Sequence, residues 1–149
     1  MMEIKGTVHF SISVSDTSTS ERFYCDVLGM EMVQRVPSLG MVFLKAGSDF
    51  VILVASKTPI KPNPGNEILV HHAFRVDAAR YDQCVADLRA NNVEILFEEE
   101  RHTGIFQGRQ AYFHDPDRNV IEIIGLEQIG KGVDENTPGY DPFTHAPPT

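Results

Sequence analysis

Tyr112-Phe113-His114-Asp115-Pro116-Asp117-Arg118-Asn119-Val120-Ile121-Glu122-Ile123-Ile124 reads as a strand, a turn and a strand. The Asp-Pro-Asp-Arg-Asn run is turn chemistry, with a proline that presets the backbone and Asp or Asn side chains that bond to it. The flanking runs are aromatic and β-branched, as strands prefer. Inside the second run, Glu122 stands between Ile121 and Ile123. An unpaired carboxylate buried there costs several kcal/mol or is forced to neutralise, so Glu122 needs a partner.

Working outward, the spacing predicts strands near 93–97, 109–113 and 120–124. A helix capped by Asp77 is expected to run to about Asn91, with Tyr81, Cys84, Val85 and Leu88 as its inner stripe. A strand over 68–76 precedes it. The same order stands earlier in the chain. A period-two run places Phe10, Ile12 and Val14 opposite His9, Ser11 and Ser13. Asp16 or a neighbouring Ser or Thr caps a short helix bearing Phe23, Tyr24, Val27 and Leu28, and Gly29 sits where a left-handed residue ends it. Strands are expected near 30–36, 41–45 and 50–55. The chain is therefore a βαβββ unit written twice, and His9 and His71 each precede a valine by five residues. The expected divisions are a first module over 1–57, a proline-rich linker over 58–67, a second module over 68–126 and an acidic, proline-rich tail over 127–149.

Composition sets the outer limits. At 149 residues, with 42% apolar and 23% charged side chains, the chain can bury a sizeable core. A formal charge of -8 argues against nucleic acid, whose affinity comes from basic side chains meeting phosphates, and fits a small-molecule partner. The opening MMEIKGTVHF lacks a secretory apolar core, and no run approaches the ~20 apolar residues of a membrane helix, so the cytoplasm is the expected compartment. Cys25 and Cys84 are expected to be free, half-buried thiols, although parity alone also allows a disulfide.

Two imidazoles, His9 and His71, and one carboxylate, Glu122, each on a strand, form a set that suits a borderline divalent metal and leaves positions open for water or substrate. From the residues alone, each has a blander reading. The histidines could be surface or satisfied core residues, and Glu122 could pair with Arg75 or face solvent.

Four segments carry a family resemblance: His9-Phe10-Ser11-Ile12-Ser13-Val14-Ser15-Asp16, Phe23-Tyr24-Cys25-Asp26-Val27-Leu28-Gly29-Met30, His71-His72-Ala73-Phe74-Arg75-Val76-Asp77 and the stretch from Tyr112 to Ile123. Together they resemble the vicinal-oxygen-chelate superfamily, which includes glyoxalase I, the bleomycin- and fosfomycin-resistance proteins and extradiol dioxygenases. The resemblance implies an α+β fold of paired βαβββ modules forming an incomplete barrel around a metal, commonly with the site completed between two chains of a homodimer. It implies His9, His71 and Glu122 as ligands, and Fe(II) or Mn(II), with Zn(II) or Ni(II) as alternatives. The glyoxalase I branch adds a carboxylate from the fourth strand. Leu53 or a neighbour in Val51-Ile52-Leu53-Val54 stands there, which counts against that branch.

Fosfomycin-transferase-like members match at Gln110 and Tyr112, and at Ser11 near the metal. The glutamate that serves epoxide hydrolysis is replaced by Gly40 or Met41, and Lys131 stands where a phosphonate-binding cation would sit. Extradiol dioxygenases match at His102 and Tyr112, but their fourth-strand histidine has no counterpart around Asp49 and Phe50. The expected activity is that of a metal-dependent lyase, thiol transferase or extradiol-type dioxygenase that chelates a small oxygenated metabolite. Tyr112 and His102 are the expected catalytic groups, with Ser11 and Gln110 on the substrate. The contrasting reading is a binding protein of the bleomycin-resistance type, without catalysis.

Overall fold

The computed structural model describes residues 1–61 and 67–130. The first module runs β1 (His9–Val14), α1 (Thr17–Arg22), β2 (Glu31–Val36), β3 (Met41–Ala46) and β4 (Asp49–Ala55). The second runs β5 (His72–Val76), α2 (Tyr81–Ala90), β6 (Ile95–Arg101), β7 (Phe106–His114) and β8 (Val120–Ile129). Each module forms its own four-stranded sheet, ordered β1-β4-β3-β2 and β5-β8-β7-β6. The leading strand is parallel to its neighbour in both, and the remaining pairs are antiparallel. The expected duplication is thus present as two separate mixed sheets, not closed into a barrel. The described residues divide into two compact units; one also includes the Asp115–Asn119 turn.

In the first unit, alternation sorts the sheet into two faces. Ile12, Val14, Val42, Leu44, Val51 and Leu53 are buried on one face. At about 1.5–3 kcal/mol for each large apolar side chain removed from water, they dominate the stability of this sheet. Arg35 lies on the same face and pairs with Glu21 of α1, which identifies it as the helix side. Asp16 caps α1 as expected, its carboxylate accepting from the backbone N–H groups of Ser18 and Thr19. The helix continues as a π-helical turn over Phe23–Val27 and ends at Gly29 with φ 75. Buried Tyr24 donates its hydroxyl to Asp115 Oδ2 at 2.8 Å, and Asn119 Nδ2 donates to the Ser13 carbonyl at 3.0 Å. Burial pushes the Asp115 carboxyl up, against the lowering effect of hydrogen bonds from Asn119 and Tyr24.

In the second unit, α2 packs Tyr81, Val85 and Leu88 onto its sheet. Gly125 admits this helix closely, since a Cβ there would meet Ala78 Cα at 3.1 Å. Arg109 reaches Asp82 at 2.6 Å and lies 4.4 Å from the Tyr81 ring centre. Glu98 accepts from Tyr81 at 3.1 Å and from Arg89 at 3.0 Å.

The strand boundaries of the second module differ most from the expected ones, with β7 starting early, at Phe106. β5 begins at His72, because the chain bends at Leu69 and Val70 and leaves both exposed. β6 extends through Arg101, and β8 extends to Ile129. The charged residues of 98–101 find partners on both faces of the sheet, Glu98 on the α2 side and Glu99 on the other. Cys25 and Cys84 are free and half-buried. No helix among the described residues is long and apolar enough to cross a membrane. Residues 62–66 of the expected linker, and Lys131 with the rest of the tail, lie outside the described residues.

Candidate metal and substrate site

The face of the second sheet opposite α2 carries an unusual load of polar side chains. Strand pairing sets Glu122 across from Tyr112 on one side and Ala73 on the other. One row along, Gln110 lies across from Glu99. His71 sits one residue before β5, where the bend lets its Nδ1–H donate to the Ile68 carbonyl at 2.6 Å. That bond fixes the ring and turns Nε2 toward Glu122, 2.7 Å from Oε2. The carboxylate is 6% exposed and the imidazole 26%. Glu122 therefore has its partner, and it is His71.

The hydrogen bond to Glu122, more than any other influence, raises the His71 pKa above the ordinary imidazole value; burial acts the other way. The two groups lie within hydrogen-bond reach of each other, 2.7 Å apart. An imidazole nitrogen aimed by a backbone bond on its other nitrogen, opposite a buried carboxylate, suits a divalent ion.

Tyr112 stands beside the pair. Its ring meets the His71 ring edge-on at 5.3 Å, and its hydroxyl donates to Gln110 Oε1 at 2.9 Å. Glu99 Oε1 lies 3.4 Å from the same hydroxyl. Burial, then the charges of Glu122 and Glu99, keep the phenol protonated well above its usual range. Gln110 is held by its own amide, which donates to the Phe106 carbonyl at 3.1 Å.

The other expected site residues are His102, in the second unit, and His9 and Ser11, in the first. His102 is three-quarters exposed, 3.8 Å from Glu100, and stands just past the end of β6. By strand alternation it belongs with Glu100, away from Glu99 and Arg101. His9 and Ser11 are exposed on β1, on the sheet face opposite Ile12 and Val14. Register places Phe50 beside His9 and Ile52 beside Ser11, so the fourth strand offers no carboxylate on that face. Leu53 faces the helix side and is fully buried. Met41 pairs with Val54, and Gly40 is a left-handed turn residue with φ 63. Among the described residues of one chain, no three His, Cys, Asp or Glu side chains group as a metal site.

Sequence reasoning missed Glu99 and Arg101. Arg101 Nε donates to Glu99 Oε1 at 2.9 Å, and the Glu99 side chain is fully withdrawn from solvent. The available signal was parity: Phe97, Glu99 and Arg101 continue one face of a strand read as ending at Phe97.

Comparison with known proteins follows the same lines. Residues 6–123 match the family model of the Glyoxalase/Bleomycin resistance protein/Dioxygenase superfamily. Metallothiol transferase FosB of Staphylococcus epidermidis is 33% identical over 122 residues, 82% of each chain. The fosfomycin resistance protein FosX of Listeria monocytogenes, solved with Mn(II) and 1S,2S-dihydroxypropylphosphonic acid, superposes with a TM-score of 0.68 at 19% identity. That match covers 84% of this chain and 93% of the other. A lactoylglutathione lyase from Agrobacterium tumefaciens superposes with a TM-score of 0.63 at 23% identity, over 84% and 100% of the two chains.

Proposed function

The chain belongs to the Glyoxalase/Bleomycin resistance protein/Dioxygenase superfamily, and on that premise we propose that it is a divalent-metal enzyme of the thiol-transferase type. In this reading His71 and Glu122 hold Mn(II) or Fe(II), and His9 of a second copy supplies the third ligand in a homodimer. The observation that carries the reading is the His71–Glu122 pair, with Nδ1 committed to Ile68 and Nε2 turned to the Glu122 carboxylate. Support for His9 comes from its exposure on an edge strand and from the dimer-shared site that the resemblance implies. The similarity to a metallothiol transferase favours sulfur addition over ring cleavage, and the lack of a carboxylate on the His9 face of the fourth strand disfavours glyoxalase chemistry.

The metal would act as a Lewis acid on two adjacent substrate oxygens. The residues of this chain do the rest. Tyr112 presents a hydroxyl that stays protonated and hydrogen-bonded, suited to donating to an oxygen that gains charge. Gln110 fixes that hydroxyl from one side. In the overall reaction the thiol sulfur bonds to an electrophilic carbon, the C–O bond opens, and the thiol proton ends on the released oxygen.

Metal titration of the full chain tests this reading. Wild type should take up Mn(II) stoichiometrically by calorimetry, and His71→Ala should lose that uptake while keeping its circular dichroism, since little core volume goes. A His71→Ala protein that still holds a full equivalent would sink the assignment.

A further inference from the structure

Glu99 presents a feature that the metal reading does not use. Its Oε1 is occupied by Arg101 at 2.9 Å and lies 3.4 Å from the Tyr112 hydroxyl. Its Oε2 is buried and has no hydrogen-bond partner among the described residues. A buried carboxylate oxygen without a donor costs on the order of 1–3 kcal/mol, more for a charged group, and functional sites are where such costs are retained. The location is specific: Glu99 lies across the strand pair from Gln110, and its carboxyl is one hydroxyl removed from the ring that touches His71. An acceptor already withdrawn from water competes with no solvent when a donor reaches it.

We propose that Glu99 is a substrate-binding residue whose Oε2 accepts a hydrogen bond from a hydroxyl or protonated amine on the ligand. Building on the metal reading, this names the substrate class. It is a small chelating molecule whose distal end carries a hydrogen-bond donor, not a phosphonate or carboxylate. An anionic end would meet the Glu99 carboxylate directly. Arg101 already spends its Nε on that carboxylate. The rival is anion binding through the remaining N–H groups of Arg101, and it makes the opposite prediction.

Dopamine and dihydroxyphenylacetate share one chelating catechol and carry arms of opposite charge, so they serve as a matched pair. Their affinities are measured by calorimetry on the full chain, Mn(II)-loaded and metal-stripped. Loaded wild type should bind dopamine at least about tenfold tighter, a factor worth about 1.4 kcal/mol. Glu99→Gln keeps an oxygen for Arg101 and replaces the free acceptor with an N–H donor. It should compress that ratio about tenfold, with Mn(II) uptake unchanged. Glu100→Gln removes the same charge from an exposed neighbour and should leave the ratio as it was, which separates a local contact from the general acidity of the chain. An unchanged ratio in Glu99→Gln, an equal change in Glu100→Gln, tighter dihydroxyphenylacetate binding in wild type, or no binding of either probe overturns the proposal. Failure of the metal reading would show separately as absent Mn(II) uptake, and the ratio is then read on the metal-free protein.

Discussion

At the scale of single residues, the chemistry depends on how one side chain constrains the next. Ile68 lends a carbonyl to His71 Nδ1, which leaves Nε2 for Glu122. In metal-stripped protein this pair makes stability depend on pH. Glu122 raises the His71 pKa above the ordinary 6.5, so the folded chain keeps a proton that the unfolded chain has begun to release. The stabilisation is fully present below that ordinary value and is lost as pH rises through the raised one. Urea denaturation across a pH series in chelator should show stability falling over that window, and His71→Ala should erase the step. A step of undiminished size in the variant would assign it to another group.

At the scale of elements, alternation along each strand decides what faces what. On β8, Ile121 and Ile123 are buried on the α2 side, while Glu122 lies between them on the polar face. The β7–β8 ladder also contains a tight point. Gly108 has φ 135, and a Cβ built there would lie 2.2 Å from the Gly125 carbonyl oxygen, where the register shifts between Gln107 and Gly108. Gly108→Ala should therefore destabilise the fold by about 2–4 kcal/mol, combining backbone strain with a clash against main chain. Denaturant midpoints would show it; a loss below about 0.5 kcal/mol, typical of plain surface changes, would mean the ladder can relax there.

At the scale of the whole molecule, the issue is whether one chain suffices. His9 is exposed on β1, an edge strand of its sheet. If its partner ligands belong to a second copy, His9→Ala and His71→Ala should each abolish Mn(II) uptake alone. Unfolded together and refolded as a mixture, they should regain part of it, because a mixed dimer contains one site with every ligand intact. Two inactive chains that stay inactive when mixed, while native mass shows a dimer, would place all ligands within one chain.

Much of this was legible in the chain itself. The two βαβββ units, the Asp16 and Asp77 caps, the left-handed end at Gly29 and the need of Glu122 for a partner follow from local periodicity and from the cost of burying charge. Those are properties of neighbours in sequence. What sequence left open was whether Glu122 would join the histidines at a metal, pair with Arg75 or face solvent, and the bend at 68–71 set His71 against it. Only strand register put Phe50 beside His9 and Ile52 beside Ser11 and turned Leu53 away, and only pairing with β7 made the 98–101 run a strand with a sealed carboxylate. Register and burial are set by partners distant in the chain, so residues such as Glu99 gain their meaning from contacts that local pattern does not encode.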